Sequence, residues 1–520
     1  MSLDLKFAQR ACHSNQRAAR YARWVGVSII VAGLSGCAVG PNYHRPAAPS
    51  VSAYAAPAVQ KGAIQSGAAD QTVVMGARIK GQWWQAFHSH TLDQLIATSL
   101  ARNPSLVAAQ NTLLAARDQT RALEGGFLPS LSGSFQAARE RQGGFSNTTN
   151  ALGASGQSGG AAPFELLNAS VSVSYAPDIF GLLRREVESQ RAVAQQQRFA
   201  LEASYLSLTA NIVAAAVTDA SLRAQIAATQ RILASQTHDL RILRRQLALG
   251  GISEANVLTQ EALRAQTAAT VPPLEKQLAQ IRNQLAAYEG VFPTQFHDPN
   301  LDLTALHLPH HLPLSLPSKL VEQRPDIREA AALVHQDSAA VGVATADMLP
   351  QITLSASVGH DALSAASLFT PQTLIWSLVS GVTQPLFEGG NLLFKRRAAI
   401  ATLRAAAADY QNTVVLAFQN VSDSLAALHY DAQALAADRA AENAAQRSLK
   451  VTRAQFKLGA VSFTTVLTAE QTYDKTVITM IQATAQRYAD TAALFQSLGG
   501  GWWHRQDVAP AVRNCCGVFP

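Results

Sequence analysis

A mainly α-helical chain, built twice over and carrying four short amphipathic strands, is predicted by three observations. They are an internal repeat, a heptad pattern of unusual length, and paired segments of alternating polarity. In the repeat, Arg102-Asn103-Pro104-Ser105-Leu106 precedes Leu128-Pro129-Ser130, and Gln323-Arg324-Pro325-Asp326-Ile327 precedes Leu349-Pro350-Gln351, both proline pairs sharing an offset of 221. Further on, RRQLALGGISEANVLTQE (244–261) and RAQFKLGAVSFTTVLTAE (453–470) share R-x-Q-x-x-L-G-x-x-S-x-x-x-V-L-T-x-E at an offset of 209. Chance does not supply that many identities, so each half reads as one structural unit.

Each half predicts the same order of elements. A first helix (about 92–125, then 320–347) leads into a strand pair, and a very long helical hairpin follows (about 181–288, then 390–497). Leu201, Tyr205, Leu208, Ile212, Ala215, Leu222, Ile226, Leu233, Leu240, Leu243 and Leu247 fall on one 4-3 register, with Asp219, Thr229 and Gln236 as its only polar members. Leu403, Ala407, Tyr410, Val414, Ala417, Val421 and Leu428 repeat it, and a sustained 3.5-residue period means helices coiling on neighbours. At 1.5 Å per residue, such helices reach roughly 100 Å. Gly250 and Gly459 suit the left-handed residue that ends a helix, and Ser253 and Ser462 suit the N-cap of the returning one. Pro272-Pro273 predicts a kink or split in the first return helix. Alternation places strands at 131–140 with 170–178 and at 352–360 with 374–383, and the Gly/Ser/Asn-rich stretch 141–168 reads as an exposed loop.

The formal charge of +7 first suggests nucleic acid or an anionic membrane as partner. Its position removes the first option. Lys6, Arg10, Arg17, Arg20 and Arg23 against Asp4 put four net positive charges ahead of the apolar run Trp24–Leu34. That run is short of the ~20 residues a bilayer span needs and fits a signal peptide. It ends in Leu34-Ser35-Gly36-Cys37, which resembles a bacterial lipobox: cleavage between Gly36 and Cys37, with a diacylglycerol on the Cys37 thiol. The mature chain keeps only +3, which is no nucleic-acid signature, and no other uninterrupted apolar stretch reaches spanning length. Of the four cysteines, Cys12 is lost with the leader and Cys515-Cys516 sit side by side in the tail, as free thiols or a strained vicinal bridge. Residues 1–36 thus read as signal peptide, 37–90 as a lipidated segment, 91–290 as the first repeat, 291–317 as a connector, 318–498 as the second repeat and 499–520 as a tail.

Four strands leave two edges, and open edges are not tolerated in lipid. Either several chains share one barrel, or the strands form a small soluble β-domain. The order of motifs resembles the NodT-type outer-membrane lipoproteins of resistance-nodulation-division efflux systems, in the TolC superfamily. The resemblance runs from Cys37-Ala38-Val39-Gly40-Pro41-Asn42-Tyr43, through Trp83-Trp84, Asp178-Ile179-Phe180-Gly181 and Arg324-Pro325-Asp326-Ile327-Arg328. It continues to Gln384-Pro385-Leu386-Phe387-Glu388-Gly389-Gly390 and Gly499-Gly500-Gly501-Trp502, covering about 34–503. It implies a TolC-like duct: a homotrimer with a twelve-stranded barrel in the outer membrane and a helical tunnel through the periplasm. It also implies a passive role in drug or small-solute export, a periplasmic adaptor and an inner-membrane pump as partners, and no enzyme activity, cofactor or resident metal.

By that resemblance the two hairpin turns, Gly250-Gly251-Ile252-Ser253 and Gly459-Ala460-Val461-Ser462, are candidate adaptor contacts, although turn chemistry alone accounts for Gly and Ser. Many relatives carry acidic residues at the aperture, where this chain has Asn256, Thr465 and Thr468. Closure is therefore expected from packing around Phe456 and Phe463 and from hydroxyl hydrogen bonds, with Arg244 and Arg453 near the turns or simply at helix C-termini. Gly156-Gln157-Ser158-Gly159-Gly160 fits G-x-S-x-G, but a polar loop is no nucleophile elbow. His307, His310 and His311 read as solvated connector histidines rather than metal ligands, and the Trp83-Trp84 and Trp502-Trp503 pairs as packing anchors. A metal-ion or protein-secretion duct, or a lipid-anchored coiled-coil tether without channel activity, are the competing readings.

Overall fold

The computed structural model describes residues 38–47, 49–51, 53–54, 71–141 and 163–505. Cys12, Gly36, Cys37, the G-x-S-x-G stretch and Cys515-Cys516 lie outside the described residues. In chain order the elements are β1 (Thr72–Met75), α1 (His90–Arg102), α2 (Pro104–Glu124), β2 (Ser130–Glu140), β3 (Phe164–Tyr175), α3 (Leu182–Ala248) and α4 (Glu254–Glu289). They continue with β4 (His311–Leu314), α5 (Pro317–Gln323), α6 (Pro325–Ala346), β5 (Gln351–Ala362), β6 (Leu374–Thr383), α7 (Asn391–Lys457) and α8 (Phe463–Ser497). They gather into two compact units.

The unit comprising the N-terminal segment through His44, Ala116–Ala194 and Leu333–Ala406 holds a four-stranded antiparallel sheet of order β2-β3-β5-β6. Its register sorts the two faces. Leu131↔Val173↔Ala356↔Leu378 and Gly133↔Val171↔Val358↔Trp376 lie on one face. Ser132↔Ser172↔Ser357↔Ser377 and Ser130↔Ser174↔Ser355 lie on the other. Serine hydroxyls bridge the strands, with Oγ–Oγ distances of 2.8 Å for Ser132–Ser172, 2.9 Å for Ser134–Ser170 and 2.8 Å for Ser357–Ser377. The apolar face is bare: Leu131 is 72% exposed, Trp376 75% and Leu378 75%. β3 begins six residues before the sequence-predicted start and ends at Tyr175, three before the predicted end. Adjacent Leu166 and Leu167 break the alternation that marks a strand, yet they pair with Ala138 and Ala137. Asp178 leaves the strand because its carboxylate caps α3, accepting from Leu183 N (3.1 Å) and Arg184 N (2.9 Å).

α3 and α7 have 67 residues each, so each runs roughly 100 Å. The heptad residues Tyr205, Leu208, Ile212, Ala215, Leu222, Leu240 and Leu243 are buried, as are Asp219, Thr229 and Gln236 in the same register. By length and composition α3 meets the test for a membrane-crossing helix, contrary to the sequence expectation. Its most apolar stretch is 61% buried inside the protein, where a core helix puts it.

The other unit comprises Arg45–Ala115, Gln195–Ala332 and Ala407 onward. Its parallel β1–β4 pair, Thr72↔His311 to Met75↔Leu314, is not foreseen by the sequence reading, which took His310 and His311 as loop. His311 instead lies in β4, its Nδ1 2.9 Å from Thr72 Oγ1, and no cluster able to hold a metal occurs among the described residues. Trp83 stacks on Phe495 (centroids 5.4 Å), Phe87 meets Tyr488, and Trp502 meets Phe199, so the tryptophans of both pairs pack in this unit's interior and margin. Fully buried Arg487 donates to Leu428 O at 2.8 Å and to Gln71 Oε1.

Two helical expectations need correction. The first helix of each repeat is two helices, divided at Asn103-Pro104 and Arg324-Pro325. A residue before proline is pushed out of the helical region. Asn103 Oδ1 then caps α2, accepting from Ser105 N (2.9 Å) and Leu106 N (3.3 Å). Conversely, α4 is continuous through Pro272-Pro273. Both prolines are exposed, as are Ala268 and Ala269, whose carbonyls lose their helical donors but remain open to water. Because Trp83 is 2% exposed and centres the aromatic cluster, Trp83→Ala is expected to cost about 3–5 kcal/mol. Circular-dichroism melting of the purified protein reads this as a lowered transition temperature.

Candidate functional site

The two hairpin turns are built alike. At the first, Gly250 (φ 73°) donates to Leu247 O at 2.9 Å and Gly251 to Gln246 O at 2.8 Å. At the second, Gly459 (φ 73°) donates to Phe456 O at 2.9 Å and Ala460 to Gln455 O at 2.9 Å. This is the paired bonding that closes a helix on a left-handed residue. The residue before each glycine, Leu249 or Leu458, is 81% or 84% exposed, an apolar side chain held into solvent at matching places. The turns differ at their N-caps. Ser462 Oγ accepts from Thr465 N (3.4 Å), whereas Ser253 makes no capping bond with its side chain. Ile252 and Val461 are half-buried, and Ser253 and Ser462 exposed.

Behind the turns, both hairpins share one apolar core of Leu240, Leu243, Val257, Leu449, Phe463 and Val466. Phe456 packs against it with its ring centroid 5.7 Å from that of Phe463, so the structure brings these two together. Thr465 and Thr468 line a cavity of about 460 Å³ with Ser448 and Thr452 of α7, while among the described residues their hydroxyl hydrogen bonds stay within α8 and its cap. Thr468 donates to Thr464 O (3.0 Å) within its own helix, and Thr465 meets only Ser462 Oγ (3.1 Å). Asn256 is half-buried, its backbone N–H donating to Ser253 O at 3.1 Å.

Arg244 and Arg453 do not cap helix ends. Arg244 pairs with Glu261, and Arg453 with Glu470 (Nε–Oε1 3.1 Å). These are the first and last residues of the repeated 18-residue motif, so each copy encodes an Arg–Glu clamp across its own hairpin. Sequence reading missed the pairing although the signal was there, an R and an E seventeen apart in both copies. The second clamp is the more buried. Arg453 Nη2 also lies 3.1 Å from Asp239 Oδ2 and 3.1 Å from Ser235 Oγ. A cavity of about 230 Å³ beside it is lined by Gln236, Tyr473 and Asp474. Burial opposes the charge on Arg453, but the hydrogen bond it donates to Glu470 and the charges of Glu470, Asp239 and Asp474 raise its pKa. Burial pushes Glu470 up to about 7 and Asp474 to about 6, against the pull of Arg453. One guanidinium thus faces three carboxylates, and burial raises two of them, Glu470 and Asp474.

In the other unit, the first described residues form a plug. Ala38 fits against Gly181, where a Cβ would stand 2.7 Å from the Ala38 Cα, and Gly40 fits against Gly342. Arg185, 3% exposed at its side chain, donates to Val39 O (3.0 Å), Gly40 O (3.4 Å) and Asn42 Oδ1 (2.8 Å). It also pairs with Glu188 (2.7 Å), which holds His335 (3.0 Å), on which Tyr43 stacks at 4.3 Å. The stretch that reads in sequence as a processing motif is therefore a folded part as well.

A sheet bare and apolar on one face and polar on the other, carried with long paired helical hairpins, defines an outer-membrane channel protein. Membership is direct: the chain belongs to the outer membrane efflux protein family, whose profile matches residues 95–291 and 316–500. It is similar to outer membrane protein OprJ of Pseudomonas aeruginosa, 28% identical with 92% of this chain and 96% of that one covered. It is also similar to nodulation protein T of Rhizobium leguminosarum bv. viciae, 26% identical with 92% and 93% covered. The solved structure of the outer-membrane channel OprN superposes with a TM-score of 0.79 at 25% identity, covering 90% of this chain and all of that one.

The raised carboxylates set a pH dependence. A carboxylate whose folded pKa is raised contributes most below its ordinary range and loses that contribution as pH rises through the folded value. The Arg453 cluster should therefore be tightest below about pH 4 and loosen as pH rises through about 6–7. Amide exchange over residues 449–474, corrected for intrinsic rate, is expected to speed up between pH 5 and 8, and Glu470→Gln to remove most of that change. An unaltered pH response in the variant would contradict it.

Proposed function

We propose that three copies of this chain close one twelve-stranded barrel in the outer membrane and form a passive export conduit, the outer-membrane component of a tripartite efflux system. The observation that carries this reading is the β2-β3-β5-β6 sheet, with two open edges and faces of opposite solvation. Lipid tolerates neither an unpaired strand edge nor a polar outer face. Closure of β6 of one copy on β2 of the next satisfies both, turning Leu131, Val358, Trp376 and Leu378 to lipid and the serine ladder to water. A wall rich in hydroxyls, with Asn168 and Asp361 towards one end, hydrates a passing solute without holding it, which suits a duct that performs no chemistry.

Cys37 carries the lipid, and the Arg185 plug anchors the residues that follow it. The hairpin turns, with Leu249 and Leu458 at their apices, meet a periplasmic adaptor and through it an inner-membrane pump of the resistance-nodulation-division type. The shared apolar core around Phe456 and Phe463 and the Arg–Glu clamps keep the tip closed at rest. The substrate is a drug or other small solute, selected by the pump.

Planar-bilayer conductance of the purified protein tests the barrel. Val358→Arg on the apolar face is expected to cost about 2–4 kcal/mol and to reduce assembled trimer in the outer membrane. Ser357→Arg on the facing side should assemble and alter conductance instead. Equal assembly of the two variants would count against the assigned faces. At the tip, Gly459→Asp places a charge and a Cβ at φ 73°, where the left-handed strain alone is about 1–2 kcal/mol. Efflux should be lost while trimer and surface level persist, and normal drug export at equal surface level would sink the adaptor assignment.

A further inference from the structure

The extended stretch 77–80 leaves β1 towards the helical turn that begins at Trp83. Alternation along it puts Arg78 and Lys80 on one side, while Ile79 between them is buried at 2% exposure. The two cations border a groove of about 360 Å³ within the unit built from Arg45–Ala115, Gln195–Ala332 and Ala407 onward. Trp83 and Phe495 contribute to its largely apolar wall, and His88 and His310 complete the rim with Arg78 and Lys80. Among the described residues no Asp or Glu lines it, and neither cation makes an ion pair or side-chain hydrogen bond. Elsewhere in the same unit several arginines have acidic partners: Arg223 with Asp298, Arg324 with Asp326, Arg453 with Glu470 and Arg505 with Glu202.

Two same-sign charges held on one side of a short extended segment repel each other, and a shared anion relieves that repulsion. A volume of this size lies within the roughly 300–1,000 Å³ of small-molecule sites, which pair an apolar wall with a few placed polar groups. We propose that this groove is a binding site for a small organic anion. A ring or short apolar body lies along the apolar wall, to which the half-buried Ala86 and Pro309 contribute, and a carboxylate, sulfonate or phosphate sits between Arg78 and Lys80. The guanidinium offers a planar fork and the ammonium a point charge, a combination that accepts any of the three oxyanions. The site is independent of the conduit reading, since neither cation belongs to the sheet or the hairpin turns.

The test is isothermal titration of the purified full-length protein with naphthalene-2-sulfonate, and separately with the uncharged 2-naphthalenemethanol. Saturable binding of the sulfonate at one site per chain is expected, at least tenfold tighter than the alcohol and weakened by added salt. Arg78→Ala/Lys80→Ala should lower sulfonate affinity at least tenfold while conductance and melting temperature stay at wild-type values. If that double variant fails to assemble, Arg78→Gln alone, expected to weaken binding several-fold, carries the comparison. Absence of saturable binding, equal affinity for the neutral probe, or unchanged affinity in a folded variant would overturn the assignment.

Discussion

Hydrocarbon offers no hydrogen bonds, so a β-sheet placed in it must pair every strand edge. This chain supplies four strands in the order β2-β3-β5-β6 and leaves two edges without partners. Much of the sequence answers to that shortfall. Val, Leu and Trp alternate with Ser over much of the sheet, and the cross-strand serine pairs order the more polar face, which also carries Val379 and Asp361. A sheet with a bare Trp376 and Leu378 would be an aggregation hazard for a soluble monomer; on a barrel wall the same residues are ordinary lipid-facing groups.

Duplication explains how one chain provides both strand pairs and both long hairpins. The two copies keep what the backbone requires, a left-handed glycine after each long helix and an Arg–Glu pair across each turn. They diverge in how deeply the pair is set. Glu261 is substantially exposed, where an ion pair is worth at most about 1 kcal/mol, while Glu470 is almost completely enclosed. Equal sequence spacing has therefore produced a surface contact in one copy and a buried, proton-sensitive one in the other.

The long helices were legible because their signal is additive: a heptad sustained over tens of residues outweighs any local exception, including the buried Asp219 and Gln236. Turn glycines were legible because few other residues accept a positive φ. The start of β3 was not, since Leu166-Leu167 breaks the two-residue period although both residues pair in the ladder. The X-Pro breaks at Asn103 and Arg324 were hidden inside a helical pattern that resumes at once on the far side. Pro272-Pro273 misled in the opposite direction, because the cost of a helical proline depends on whether the freed carbonyls reach water, and sequence does not show which way they face. At the tip, the relation between Arg453 and three carboxylates on neighbouring helical segments is not visible in residue types taken singly.

The plug formed by residues 38–43 carries a further implication, about time rather than space. Its contacts come partly from Gly181 and Arg185 and partly from His335 and Gly342, the latter about 300 residues downstream. A contact of such separation closes only after the intervening chain exists and has folded enough to bring its ends together. Residues near the front of the chain are therefore among the last to settle, and their docking reports that elements of both repeats have already come together.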